Sequence, residues 1–183
     1  MGDKLEPKLI QALSDNKLVM YYQPIVLGAT GEVKTFEALI RWPTDTGMIS
    51  PGEFIPLAEE TGLILDLDDY VMTAVCEQVG LWRKQHPNFK FSVGINISAR
   101  HWADSELADK VLNLLKLNDL PGDFLKLEMT ESALVGDIKS VRTNFEVLQS
   151  NGVQIALDDF GTGYASLSYL LDFPFDVLKI DRV

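Results

Sequence analysis

This chain has few of the residues that build soft-metal and redox sites. Among its 183 residues there is one cysteine, Cys76, and there are two histidines, His86 and His101. A single cysteine excludes an internal disulfide and a thiolate zinc cluster, and the two histidines are badly placed for a zinc site. Cys76 falls in a helix-like stretch, where a small core residue is expected. Basic residues are outnumbered as well, 16 Lys and Arg against 27 Asp and Glu, for a net charge of −11. So acidic a surface repels bulk nucleic acid and anionic membranes. An anionic small substrate fits only where metal and a local Arg or Lys neutralise it. No apolar run approaches the roughly 18 residues of a membrane span. Met1-Gly2-Asp3-Lys4-Leu5-Glu6 shows no signal-peptide core, and Glu6 stands where a myristoylation motif needs Ser or Thr. The domain is therefore expected in the cytoplasm, with membrane anchoring left open for a longer parent protein.

What is present is an alternation of strand-like and helix-like runs over one domain's length, with 46% apolar residues. Lys4–Asp15 reads as an amphipathic helix and Leu18–Val26 as a strand. A turn at Gly28-Ala29-Thr30-Gly31 leads into a second strand, Val33–Trp42, so these two are expected to pair antiparallel. A loop with Pro43, Gly47, Pro51 and Gly52 follows. Phe54–Thr61 reads as a helix closed by Gly62, and Asp66–Gln85 as another. The pattern then becomes regular: strands at Phe91–Ser98, Phe124–Thr130, Val153–Asp158 and Val177–Ile180, with helices at Ser105–Leu115, Ile138–Asn151 and Ser166–Leu171 between them. Six strands linked mainly by single helices predict parallel βα units of a TIM-type barrel, whose chemistry sits at the strand C-termini.

Oxygen-bearing side chains interrupt the strand-like runs. Glu37 sits inside Val33–Trp42, Asn96 between Ile95 and Ile97, Glu128 between Leu127 and Met129, and Asp158-Asp159 after Ala156-Leu157. A buried carboxylate costs several kcal/mol unless it is paired. Four strands making the same sacrifice point to one polar centre, and the partner for so many oxygens is a hard cation, Mg²⁺ or Mn²⁺. The adjacent pair Asp158-Asp159 allows a two-metal site of the kind that drives phosphoester hydrolysis. Taken one at a time, each carboxylate can equally cap a neighbouring loop.

Arg41, at the exit of its strand, can grip a phosphate or form a surface ion pair. Lys179 can position water beside a metal or pair with Asp181. Asp159-Phe160-Gly161-Thr162-Gly163-Tyr164 is neither a kinase motif nor a P-loop, because the accompanying lysines are absent. It reads as a mobile loop hanging from a metal ligand. Glu131 can hold that loop through backbone N–H groups or cap a helix start.

Seven segments in order along the chain carry a family resemblance. They are Tyr22-Gln23-Pro24-Ile25, Glu37-Ala38-Leu39-Ile40-Arg41-Trp42, Pro51–Ile64, Asn96-Ile97-Ser98-Ala99-Arg100, Leu127-Glu128-Met129-Thr130-Glu131-Ser132, Leu157–Leu170 and Leu178-Lys179-Ile180-Asp181-Arg182. The chain strongly resembles the EAL domain of bacterial cyclic di-GMP-specific phosphodiesterases.

The resemblance implies an α/β fold, a TIM-type (β/α)8-like barrel with an antiparallel first strand. It implies hydrolysis of cyclic di-GMP to linear pGpG with Mg²⁺ or Mn²⁺ in a two-metal site, in bacterial second-messenger signalling. By position, Glu37, Asn96, Glu128 and Asp158 match ligands of the first metal, and Asp158 and Asp159 ligands of the second. Lys179 matches a lysine near the attacking water. Gln23, Leu39 and Arg41 match substrate-contacting positions. Glu131 matches the glutamate that holds the loop at 159–168, through which homodimerisation is implied. A sensor or GGDEF domain is expected in a longer parent protein.

Family members run on for about two more βα units. Residues 1–183 are therefore expected to be a C-terminally incomplete domain that hydrolyses poorly alone. The alternative is a catalytically impaired module that binds cyclic di-GMP as a receptor.

Overall fold

Val33–Thr44 forms the long strand β2 because its alternate residues suit two different environments. Phe36, Ala38, Ile40 and Trp42 point to one face, and Thr35, Glu37, Leu39 and Arg41 to the other. In the computed structural model, which describes residues 5–135, 137–161 and 172–180, strands β4 (Ser92–Asn96), β5 (Leu125–Thr130) and β6 (Gln154–Phe160) repeat this division.

The elements follow in the order α1 (Glu6–Ser14), β1 (Val19–Val26), β2, β3 (Gly47–Ile49), α2 (Pro51–Thr61), α3 (Ile64–Gln85), β4 (Ser92–Asn96), α4 (Ala99–Trp102), α5 (Leu107–Leu117), β5 (Leu125–Thr130), α6 (Ile138–Ser150), β6 (Gln154–Phe160) and β7 (Val177–Ile180). Short 3₁₀ turns at Gly122–Phe124 and Glu131–Leu134 flank β5. The strands form one sheet in the order β1-β2-β4-β5-β6-β7, with β3 paired to β2. β1 runs antiparallel to β2, and β2, β4, β5, β6 and β7 are mutually parallel. This is the expected α/β architecture with an antiparallel first strand.

One face of the sheet is the core. Ala38, Ile40 and Trp42 of β2, Val93 and Ile95 of β4, Leu127 and Met129 of β5 and Ile155 and Leu157 of β6 are buried in a single apolar cluster with the helices. Edge-to-face aromatic contacts lock the layers: Trp42 meets Phe54 of α2 at 5.5 Å, and Phe91 meets Trp82 of α3 at 6.0 Å. The other face carries Thr35, Glu37, Ser92, Gly94, Asn96, Lys126, Glu128, Ala156, Asp158 and Lys179, as the strand registers dictate.

Several boundaries differ from the sequence reading, each for a local reason. Helix α2 begins at Pro51 rather than Phe54, because Ser50 and Glu53 form a reciprocal capping box and Pro51 occupies the first turn. Strand β3 lies within a stretch read as loop; it extends the β2 hairpin through the pair Trp42 and Ile49. Strand β4 stops at Asn96, and Ser98 instead caps the one-turn helix α4, accepting the N–H of His101. Strand β6 runs on to Phe160, past the expected end at Asp158. The helix expected at 166–171 lies outside the described residues, as do Thr162, Gly163, Tyr164, Asp181 and Arg182.

Candidate metal centre

The parallel strands all end at the same edge of the sheet, and that edge gathers the polar residues of the inner face. Asn96, the last residue of β4, lies beside Glu128 of β5, and Thr130 of β5 lies beside Asp158 of β6. One oxygen from each of Glu37, Glu128 and Asp158 lies within 4.8 Å of the other two. Asn96 joins them, its side-chain N–H donating to Glu37 Oε1 at 3.0 Å. Glu128 is 1% exposed, and its Oε1 has no hydrogen-bond partner among the described residues. A buried acceptor left unmade costs about 1–3 kcal/mol, so its retention calls for a reason. A carboxylate-rich oxygen set with one orphaned lone pair is what a metal ion uses. The residues fit such an ion.

Lys179 reaches into this cluster from β7. Its Nζ donates to Glu128 Oε2 at 2.5 Å and to Asp158 Oδ2 at 2.7 Å, and stands 3.7 Å from Glu37 Oε1. Burial works against its charge, but the hydrogen bonds to Asp158 and Glu128 and the negative charges around it prevail, so its pKa is raised. Burial also raises the Glu128 carboxyl, with Lys179 opposing. Of the two readings of Lys179, the described residues give it carboxylates from the cluster; Asp181 lies outside them.

Asp159 is exposed and is not one of the three clustered carboxylates; its N–H donates to Asp158 Oδ1 at 2.9 Å. Its φ of 55° lies in the left-handed region, which Asp enters more readily than most residues. The β6–β7 register shifts at this point. Glu131, 6% exposed, accepts the N–H of Gly161 at 2.9 Å, so it holds the chain immediately after Asp159-Phe160.

Of the expected substrate residues, Leu39 and Arg41 line a cavity beside the cluster, whereas Gln23 is exposed and not among the residues lining it. Gln23 pairs across the hairpin with Glu37, and Leu39 with Tyr21. Arg41 donates to its neighbour's carbonyl at Ile40, 2.8 Å away, and lies 5.6 Å from the centre of the Tyr21 ring. Among the described residues it has no carboxylate partner at ion-pair distance. A cavity of about 270 Å³ opens between the strand ends and helices α2 and α3, lined by Leu39, Arg41, Asn96, Glu128, Asp68 and Ser98 among others.

Asp68 and Ser98 escaped the sequence reading. Asp68, on α3 and 5% exposed, accepts from Ser98 twice, at 3.1 Å from the backbone N–H and 2.6 Å from Oγ. His101 Nδ1 stands 3.3 Å from the same oxygen. Asn144 of α6 ties the far end of this segment, donating to the carbonyls of Trp102 and Asp104 and accepting the Ala108 N–H. These contacts fix the chain that leaves Asn96. The doublet Asp68-Asp69 in a helical pattern reads as a solvated face, and Ser98 was read as the end of a strand, so neither carried a signal of its own.

No described helix is long and apolar enough to cross a membrane.

Against known proteins, residues 7–183 match the family described as EAL domain. The bifunctional diguanylate cyclase/cyclic di-GMP phosphodiesterase MucR of Pseudomonas aeruginosa is 42% identical over 175 residues, covering 95% of this chain and 25% of that protein. The cyclic di-GMP phosphodiesterase NbdA of the same organism is 41% identical over 181 residues, covering 98% and 23%. The chain thus spans about a quarter of these relatives' length. A solved structure of the PaMucR phosphodiesterase in complex with c-di-GMP is 41% identical, with a TM-score of 0.89, over 97% of this chain and 72% of that one. In fold, in sequence and in the order of its motifs, the chain belongs to the EAL domain family.

Proposed function

We propose that this domain is a metal-dependent phosphodiesterase that hydrolyses cyclic di-GMP to linear pGpG. The observation that carries the reading is the convergence of Glu37, Glu128 and Asp158, with Asn96, on one point, where one carboxylate oxygen has no hydrogen-bond partner among the described residues. Relatives at 41–42% identity bear the name cyclic di-GMP phosphodiesterase, which supports the substrate.

In this reading Glu37, Asn96, Glu128 and Asp158 hold the first Mg²⁺ or Mn²⁺, and Asp158 and Asp159 serve a second. Bound there, the ions would supply Lewis acidity for activating water and stabilising a leaving oxygen. Lys179, aimed between the Glu128 and Asp158 carboxylates, would orient that water. Arg41 neutralises the substrate phosphate, with Gln23 and Leu39 forming the adjacent wall. Glu131 holds the Gly161 end of the segment that carries Asp159. Homodimerisation through the loop at 159–168 and a sensor or GGDEF domain elsewhere in a longer protein complete the proposal. The latter is supported by the multidomain length of the relatives.

The test is incubation of the full-length protein with cyclic di-GMP and Mg²⁺. Metal-dependent appearance of pGpG is expected. Tight retention of intact cyclic di-GMP would contradict the enzyme reading and favour a receptor.

A further inference from the structure

We infer that Gly94 is a positioning residue for the metal centre: its missing side chain is the space in which the Glu128 carboxylate sits. The inference rests on the metal reading of Glu128 given above. Gly94 lies on β4 between Glu37 of β2 and Lys126 of β5, on the inner face and two residues before Asn96. A Cβ at this position would meet Glu128 Oε1 at 2.5 Å and Glu128 Cδ at 3.2 Å. Oε1 is the same oxygen that is buried without a hydrogen-bond partner among the described residues. Its neighbour on that side is therefore the bare α-carbon of Gly94.

Nothing in the backbone demands glycine. Gly94 is not among the glycines with positive φ, and it sits in regular parallel pairing, where glycine is ordinarily a weak choice. The close approach supplies the reason. The clashing atoms are the end of a flexible side chain, so an added methyl group is accommodated by moving the carboxylate by on the order of 1 Å. The sheet is preserved by that movement and the ligand is not, because metal sites tolerate only about 0.5 Å of displacement. Gly94 thus separates two properties that most core residues couple, stability and site geometry.

The experiment measures Mn²⁺ binding by calorimetry on the full-length protein, together with thermal unfolding in EDTA. Gly94→Ala is expected to weaken Mn²⁺ binding about 10- to 100-fold, the usual cost of losing a residue that orients a ligand. Its melting temperature in EDTA is expected to stay within about 2 °C of wild type. Glu128→Asp retracts the carboxylate by one methylene. Combined with Gly94→Ala it is expected to be strongly non-additive, the double variant binding no worse than the weaker single variant.

Wild-type-like Mn²⁺ affinity in Gly94→Ala, alongside loss of binding in Glu128→Gln, overturns this inference and leaves the metal reading standing. Absence of Mn²⁺ binding by the wild type overturns both. If Gly94→Ala unfolds, recovery of its melting temperature on adding Glu128→Asp supports the contact as the cause. No recovery, or additive binding losses, overturns it.

Discussion

Two buried polar clusters meet at the C-terminal end of β4, and they are built on opposite principles. The first, around Asp68, spreads its acids apart, so that each carboxylate has a donor: Ser98 for Asp68, Lys110 for Asp69, and Lys110 and the Glu106 N–H for Asp104. Asp68 takes the Ser98 donors, the His101 ring stands between Asp68 and Asp69, and Lys110 lies 3.2 Å from Asp69 and 3.5 Å from Asp104. The second sets three carboxylates around one ammonium, with one oxygen from each within 4.8 Å of the other two. Both ride on the same short stretch, Asn96 in one and Ser98 in the other. The contacts of the first cluster tie helices α3, α4 and α5 together, although His101 Nδ1 finds no hydrogen-bond partner among the described residues. The crowding of carboxylates in the second is something that stability alone does not explain. Convergence of carboxylates at aligned strand ends, rather than burial of polar groups as such, distinguishes a working site from a structural staple.

Substitution separates the two most sharply. Glu37→Ala is expected to cut cyclic di-GMP hydrolysis by at least about 100-fold. Its melting temperature in EDTA should stay level or rise, because one of three like charges is removed. Hydrolysis assays paired with thermal unfolding check both halves. Substantial turnover at saturating Mg²⁺ would erase the contrast between the clusters.

Asp68→Ala should do the reverse. It strands the Ser98 donors and removes the carboxylate facing His101, costing about 3 kcal/mol and roughly 6–12 °C of melting temperature. A melting curve like that of wild type would show that the staple carries no load.

Glu131→Ala is expected to fall between these two, slowing hydrolysis about 10-fold with little change in stability. Hydrogen exchange gives the independent reading, since the Gly161 amide donates to Glu131 and should lose protection.

The smallest effect belongs to the apolar side of the sheet. Burial, with Glu77 adding to it, pushes the Cys76 thiol from 9.0 up to about 12, and burial, with Cys76 adding, pushes the Tyr22 hydroxyl from 10.0 up to about 12. The unfolded chain therefore releases these protons at lower pH than the native one. Their stabilisation is complete below about pH 9 and lost progressively from there to about pH 12. Unfolding free energies from urea titrations at pH 8 and 9.5 should differ by about 1 kcal/mol, and native Cys76 should resist thiol reagents at pH 8. Ready labelling of the folded protein would contradict the buried placement.

How much of this was legible depended on contrast with the local background. Glu37, Asn96, Glu128 and Asp158 stood out because each interrupts an apolar strand, and the periodicity that exposed them also placed them on one face. The hairpin of β1 and β2 was legible from its glycine-bearing turn. Asp68 was hidden because acids are common on helices, and only the fold shows that this one faces inward. Gly94 was hidden because a missing side chain leaves no signal until the neighbour filling its space is known. Helix α4 is too short for periodicity to register, and β3 carries Gly47 at a φ of 141°, which reads as turn chemistry. The left-handed Asp159 continues a strand that the glycine-bearing segment from Gly161 onward reads as ending.

The central claim is that the cluster of converging carboxylates is a metal centre for cyclic di-GMP hydrolysis. The most direct measurement strips the full-length protein with EDTA and follows pGpG formation as Mg²⁺ or Mn²⁺ is titrated back, with Glu37→Ala in parallel. The account predicts no cleavage without metal, saturable recovery in the wild type, and none in the variant. Cleavage that persists in EDTA, or recovery that Glu37→Ala shares, would contradict it.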